Sequence, residues 1–102
     1  MGEYVLSPPA ISDLEHIYQT GFQQFGPAQS ERYLHELFGR FQLLADFPDI
    51  GGRPLKVRQV EVFRFPFGSH VIVFTKTHSG VRITRVFHAR MDWRVRLRRE
   101  GL

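Results

Sequence analysis

The chain contains no cysteine, which excludes disulfide staples, thiolate nucleophiles and every zinc site built on sulfur. No apolar run approaches the roughly 20 residues that a helix needs to cross a bilayer. The start, Met1-Gly2-Glu3-Tyr4-Val5-Leu6-Ser7-Pro8-Pro9, has neither the basic nor the apolar region of a secretory leader, so the cytoplasm is the expected compartment. HExxH, GxSxG and phosphate-loop patterns are absent; Gly51-Gly52-Arg53-Pro54 reads as a turn. The histidines, His16, His35, His70, His78 and His88, have no local metal spacing, so neither metal nor cofactor is expected. No tyrosine follows Tyr33.

Acidic residues are scarce in one half only. Residues 51–102 carry twelve Lys or Arg against Glu61, Asp92 and Glu100, 12 − 3 or a net +9. Residues 1–50 carry Arg32 and Arg40 against seven acids, 2 − 7 or a net −5. The total of +4 therefore hides an acidic half and a basic half. Two electrostatic sides follow, and the basic one should attract an acidic partner, whether nucleic acid or protein.

At 102 residues the chain fits one domain, and 42% hydrophobic residues with ten Phe supply a core. Ser7 before Pro8 is a helix start, because Ser7 accepts an orphan amide and Pro8 has none to waste. Ile11, Leu14, Ile17, Tyr18, Phe22 and Phe25 then recur at helical spacing, predicting a helix over about residues 8–24 with one apolar face. Gly26-Pro27 stops it and opens a second helix to about residue 46, marked by Tyr33, Leu34, Leu37, Phe38, Phe41, Leu44 and Ala45. So short a link makes the pair an antiparallel hairpin. Leu43 projects away from the apolar stripe, as a partner contact or a tolerated exposure.

After the turn-rich Phe47–Pro54 the period changes to that of strands. Gln59 to Phe65, His70 to Lys76 and Val81 to His88 read as strands separated by short turns, an antiparallel meander over about residues 57–88. Tyr4-Val5-Leu6 is a possible extra strand. Strict alternation leaves Arg85 among apolar residues, so either a bulge shifts the register or its stem lies along the core edge with the guanidinium in water. Residues 89–102 read as a basic tail, short and helical or irregular. The fold class is thus α+β, a helical hairpin on one face of a small antiparallel sheet. The opposite face is expected to be open to solvent or used for binding.

Metal-free RNA cleavage needs a base, an acid and cations around the phosphate. Arg64, His88 and Arg90 are the residues for such a reaction, yet a row of arginines titrates far above neutral pH and suits clamping better than proton transfer. Lys56, Arg58, Arg64, Arg82, Arg85 and Arg90, with Leu43 and Trp93, are instead the candidates for partner binding. Trp93 also reads as an apolar anchor for the tail. Direct nucleic-acid binding is left open by composition alone.

The order of these segments resembles the ParE branch of the RelE/ParE superfamily of type II toxin–antitoxin toxins. The resemblance runs through Tyr4-Val5-Leu6-Ser7-Pro8-Pro9-Ala10, Asp13-Leu14-Glu15-His16-Ile17, Phe25-Gly26, Tyr33-Leu34, Phe47-Pro48, Gly52-Arg53-Pro54, Phe63-Arg64-Phe65-Pro66, Gly68-Ser69-His70-Val71-Ile72-Val73-Phe74 and Arg85 to Asp92. It implies a RelE/ParE-like fold and a non-catalytic poison of DNA gyrase that inhibits replication. A ParD-like antitoxin would neutralise it by folding a disordered segment over it, and higher toxin–antitoxin assemblies would form. The RelE-like alternative is a ribosome-dependent mRNA endoribonuclease. Arg64 falls on the family's strand arginine and Arg90 near its C-terminal arginine, but the late catalytic tyrosine of the ribonuclease branch has no counterpart. The regular occupant of the basic side is then expected to be an acidic antitoxin segment.

Overall fold

A computed structural model describes residues 1–101 as β1 (Glu3–Leu6), α1 (Pro8–Phe25), α2 (Pro27–Asp46), a 3-10 turn (Pro48–Gly51), β2 (Leu55–Val57), β3 (Val60–Phe67), β4 (His70–Lys76), β5 (Gly80–His88) and α3 (Trp93–Glu100). The two long helices form where their caps direct. Ser7 Oγ accepts from the Ala10 amide at 3.1 Å and donates to the Thr84 carbonyl at 2.8 Å, tying the start of α1 to β5. Gly26 separates the helices at φ 87°, a left-handed conformation that costs glycine nothing.

The expected meander is antiparallel throughout, and only the added strand β1 departs from an all-antiparallel sheet. The sheet order is β1-β5-β4-β3-β2, and β1 runs parallel to β5 while the other pairs are antiparallel. Alternation in a strand reports which residues share a face, not the direction of the neighbour. Gly80 admits the pairing, since a Cβ there would lie 1.9 Å from the Glu3 carbonyl oxygen. β2 joins β3 through Arg58 and Gln59, both left-handed at φ 51° and 72°, as a two-residue hairpin turn requires.

The main core lies between the hairpin and one sheet face, with Leu14, Leu37, Phe41, Leu44, Phe63, Ile72, Phe74, Ile83 and Val86 at its centre. Of the apolar stripe predicted for α1, only Leu14 is buried, joined by Ala10; Ile11, Phe22 and Phe25 are exposed, Phe25 at 61%. At 1.5 Å per residue an 18-residue helix is about 27 Å long, and its last turns are left uncovered by the sheet.

The opposite sheet face is partly covered, which narrows the second expectation. Trp93 and Leu97 of α3 are buried against Val57, Val62, Val71, Val73 and Phe87, forming a second core. Four of the eight residues of α3 are arginine, which conceals two apolar residues at i, i+4 on one face. That spacing suffices to fasten the helix.

β5 carries a bulge. Its register moves from Val73↔Arg85 to Phe74↔Ile83, leaving Thr84 as the extra residue. The buried Thr84 donates its hydroxyl hydrogen to the Val73 carbonyl at 3.0 Å. The bulge keeps Val81, Ile83 and Val86 on the hairpin side and sends Arg85 to the other side. It therefore resolves the anomalous arginine by a change of register.

Candidate partner-binding surfaces

β1 pairs with β5 only from Gly80 to Ile83, so the edge of β5 beyond that point has no neighbouring strand. Asp13 of α1 reaches across it. Its carboxylate accepts from the Val86 amide at 2.9 Å and from Arg85 Nε and Nη2 at 2.8 and 3.0 Å. Arg85 Nη1 also donates to Glu100 of α3 at 2.7 Å. Hydrogen bonding to the Asp13 carboxylate raises the Arg85 pKa against the opposing effect of burial, and hydrogen bonds from Arg96 and then Arg85 lower that of Glu100. One guanidinium thereby joins α1, β5 and α3.

Beside this edge runs a groove of about 870 Å³ between α1, the start of α2 and the end of β5. Ile17, Gly21 and Phe25 give it an apolar wall, Met91 and Arg96 line the α3 side, and Tyr33, His70 and His88 lie at the sheet end. The last three residues form a connected cluster. Tyr33 Oη stands 2.6 Å from His70 Nδ1 and accepts from the Ser69 amide at 3.2 Å. The His70 and His88 rings meet edge-on, 5.4 Å between centroids. His88 Nδ1 accepts from the Arg90 amide at 3.1 Å, which leaves the hydrogen of a neutral ring on Nε2.

Burial, then the neighbouring His88, lowers the His70 pKa from 6.5 to about 4, while Asp13 opposes the shift. Desolvation raises that of Tyr33, the Ser69 amide opposing it and Glu36 adding to it. His70 is therefore neutral at physiological pH. The groove thus offers an apolar wall, the hydrogen-bonding Tyr33 and His70 rings and the guanidinium groups of Arg85 and Arg96, each paired with a carboxylate, a suitable lining for an amphipathic protein segment.

The candidate residues read from the sequence disperse. Arg85 and Trp93 are internal: the Arg85 side chain is 11% exposed in its ion pairs, and Trp93 is buried in the second core. Arg85 nonetheless lines the groove, between α1 and α3. Leu43 is half-buried on α2, Lys56 is exposed on β2, and Arg90 follows β5 at the groove end. Arg58, Arg64 and Arg82 are exposed on the α3 side of the sheet or at its β2–β3 turn. The ribonuclease trio is not assembled. Arg64 is paired with Val73 on the α3 side, whereas His88 is paired with His70 on the hairpin side.

Sequence reasoning missed Asp13, Tyr33, Phe25 and Arg96 as members of one surface. The surplus of large apolar residues at the end of α1 was the available sign for Phe25. Asp13 and Tyr33 gave no local signal, because their partners are distant in sequence.

The architecture has a solved counterpart. A chain of the structure titled "Chromosomal ParDE TA system from P. aeruginosa" superposes with a TM-score of 0.70 at 20% identity, covering 86% of this chain and 96% of the other. This defines the class as the α+β fold found in that ParDE assembly. The family described as the ParE toxin of the type II toxin–antitoxin system, parDE, matches residues 4–93. Toxin ParE1 of Mycobacterium tuberculosis (strain ATCC 25618 / H37Rv) is 34% identical over 90 residues, 87% of this chain and 91% of the relative. Toxin ParE1 of Caulobacter vibrioides is 34% identical over 97 residues, covering 95% and 99%. The chain belongs to the ParE toxin family.

Proposed function

We propose that this ParE-family toxin poisons DNA gyrase without a catalytic centre of its own, inhibits replication, and is neutralised by a ParD-like antitoxin in the cytoplasm. The observation that carries the reading is the family match across residues 4–93. The dispersal of Arg64 and His88 to opposite sheet faces supports a binding poison over mRNA cleavage. Toxin and antitoxin form higher assemblies in this reading.

The antitoxin's folding segment occupies the groove beside α1. Ile17 and Phe25 receive its apolar side chains, while Arg96 orients its acids at the other side. The open edge of β5 lies along the same groove and accommodates an extended stretch.

The test is supercoiling of relaxed plasmid by purified gyrase with increasing toxin. Inhibition or accumulation of cleaved DNA, reversed by antitoxin, is expected. Unchanged supercoiling at saturating toxin rejects the gyrase target, and codon-positioned mRNA cuts in a translating system would establish the ribonuclease alternative.

A further inference from the structure

The α3 side of the molecule has a charge excess that the antitoxin groove does not absorb. Arg64 and Arg82 project from β3 and β5 on that side, placed by their pairing with Val73 and Thr75. Arg94, Arg98 and Arg99 are exposed on α3, and Arg58 reaches along its end to the Arg98 carbonyl at 3.4 Å. Among the described residues, none of these six arginines has a carboxylate within ion-pair distance. Glu100, the acid at the end of α3, is already held by Arg85 and Arg96. Favourable placement near a helix C-terminus accounts for Arg98 and Arg99. It does not account for Arg64, Arg82 or Arg94.

We infer that this face binds the sugar–phosphate backbone of double-stranded DNA. Guanidinium forks match phosphate oxygens, and all six cations are arginine. Arg94 is held over the Trp93 ring at 4.4 Å, so part of the ordering cost of that side chain is met before binding. Strand spacing places Arg64 and Arg82 roughly 10–12 Å apart. Together with α3 they form a broad surface for several phosphates. An acidic folding peptide would also need apolar anchor pockets, yet neither of the two grooves along α1 includes any of the six arginines. Single-stranded nucleic acid would need aromatic platforms for its bases. The aromatic residues left exposed, Phe22, Phe25 and Phe47, belong to the hairpin and the link after it, while Trp93 is buried.

The choice of DNA over another duplex rests on the gyrase reading above; the charge geometry does not. In that reading the basic face holds the DNA segment that gyrase is handling, while the antitoxin groove runs along the β5 edge and includes none of these six arginines.

Fluorescence anisotropy of the full chain with a labelled duplex of arbitrary sequence tests this without gyrase. If about four arginines each neutralise one phosphate, affinity falls on the order of 100-fold between 50 and 200 mM salt. R64E/R82E and R94E/R98E should each weaken binding at least tenfold and flatten the salt dependence, with thermal melting confirming that the variants fold. R32E/R40E, on the hairpin, should leave it within twofold.

Absence of duplex binding at 50 mM salt overturns the proposal. So does an equal loss in R32E/R40E, tighter binding of the matching single strand, or equal competition by a glutamate peptide of the same charge. Gyrase inhibition without duplex binding rejects this inference alone, whereas duplex binding with unaffected gyrase rejects the target and keeps the surface.

Discussion

Asp13 and Arg85, separated by 72 positions, meet in a two-pronged ion pair with Nε–Oδ2 at 2.8 Å and Nη2–Oδ1 at 3.0 Å. The same carboxylate accepts from the Val86 amide, so one side chain both neutralises the arginine and closes the strand edge left bare by the short β1.

Asp13→Ala should therefore destabilise the fold by about 3 kcal/mol, because it leaves a strand amide without its acceptor and a mostly buried guanidinium with Glu100 alone. Asp13→Asn retains an acceptor for the amide and should cost roughly half as much. Urea unfolding of the two variants checks the order, and equal losses would show that the amide acceptor contributes little beside the charge pairing.

Trp93 is an anchor of α3, so Trp93→Leu should lower stability by about 1–3 kcal/mol through lost packing. Its folded fraction should bind antitoxin as the parent does, since the ring is buried in the second core. Calorimetric titration with antitoxin, alongside denaturant unfolding, separates the two effects. A loss of affinity without a loss of stability would make Trp93 a contact.

Phe25→Ser should do the reverse. The ring is 61% exposed, so stability should change by less than about 0.5 kcal/mol. Burying that ring under antitoxin is worth about 1.5–3 kcal/mol, or roughly 10- to 100-fold in affinity. Surface plasmon resonance with immobilised antitoxin reads the change, and unaltered dissociation would place the antitoxin elsewhere.

His70 gives the stability a pH dependence of determined sign. Its pKa drops from 6.5 when unfolded to about 4 when folded, so the unfolded chain binds more protons between those values. Stability is complete above pH 6.5 and declines as pH falls towards 4. The loss should be on the order of 1–2 kcal/mol, less than the full shift implies, because solvent screens the half-buried ring. Asp49 and Glu100, whose pKa values are lowered by partners, add their losses only below the ordinary carboxylate range. Melting curves of the parent and His70→Gln between pH 6.5 and 5 isolate the imidazole, and parallel curves would exclude it.

Both hairpin helices were legible because their signals are local. Ser7-Pro8 and Gly26-Pro27 mark the starts, and apolar residues recur every three or four positions. The three longer strands were legible from β-branched alternation and glycine turns. β2 escaped because it has three residues and its turn places Arg58 and Gln59, neither of them glycine, in the left-handed region. The groove was illegible for a different reason: Asp13, Tyr33, His70 and His88 become neighbours only when α1, α2, β4 and β5 are assembled.

The sequence by itself determined the two long helices and the three longer strands, the acidic and basic halves, and the family resemblance, since each is written in short-range pattern or in the order of segments. Tertiary structure decided where the charge is available. A bulge at Thr84 turned Arg85 inward to Asp13, and Trp93 with Leu97 fastened the tail over a face that alternation alone would leave bare. Both outcomes depend on contacts between distant segments, where a buried charge requires a partner and an apolar sheet face requires a cover.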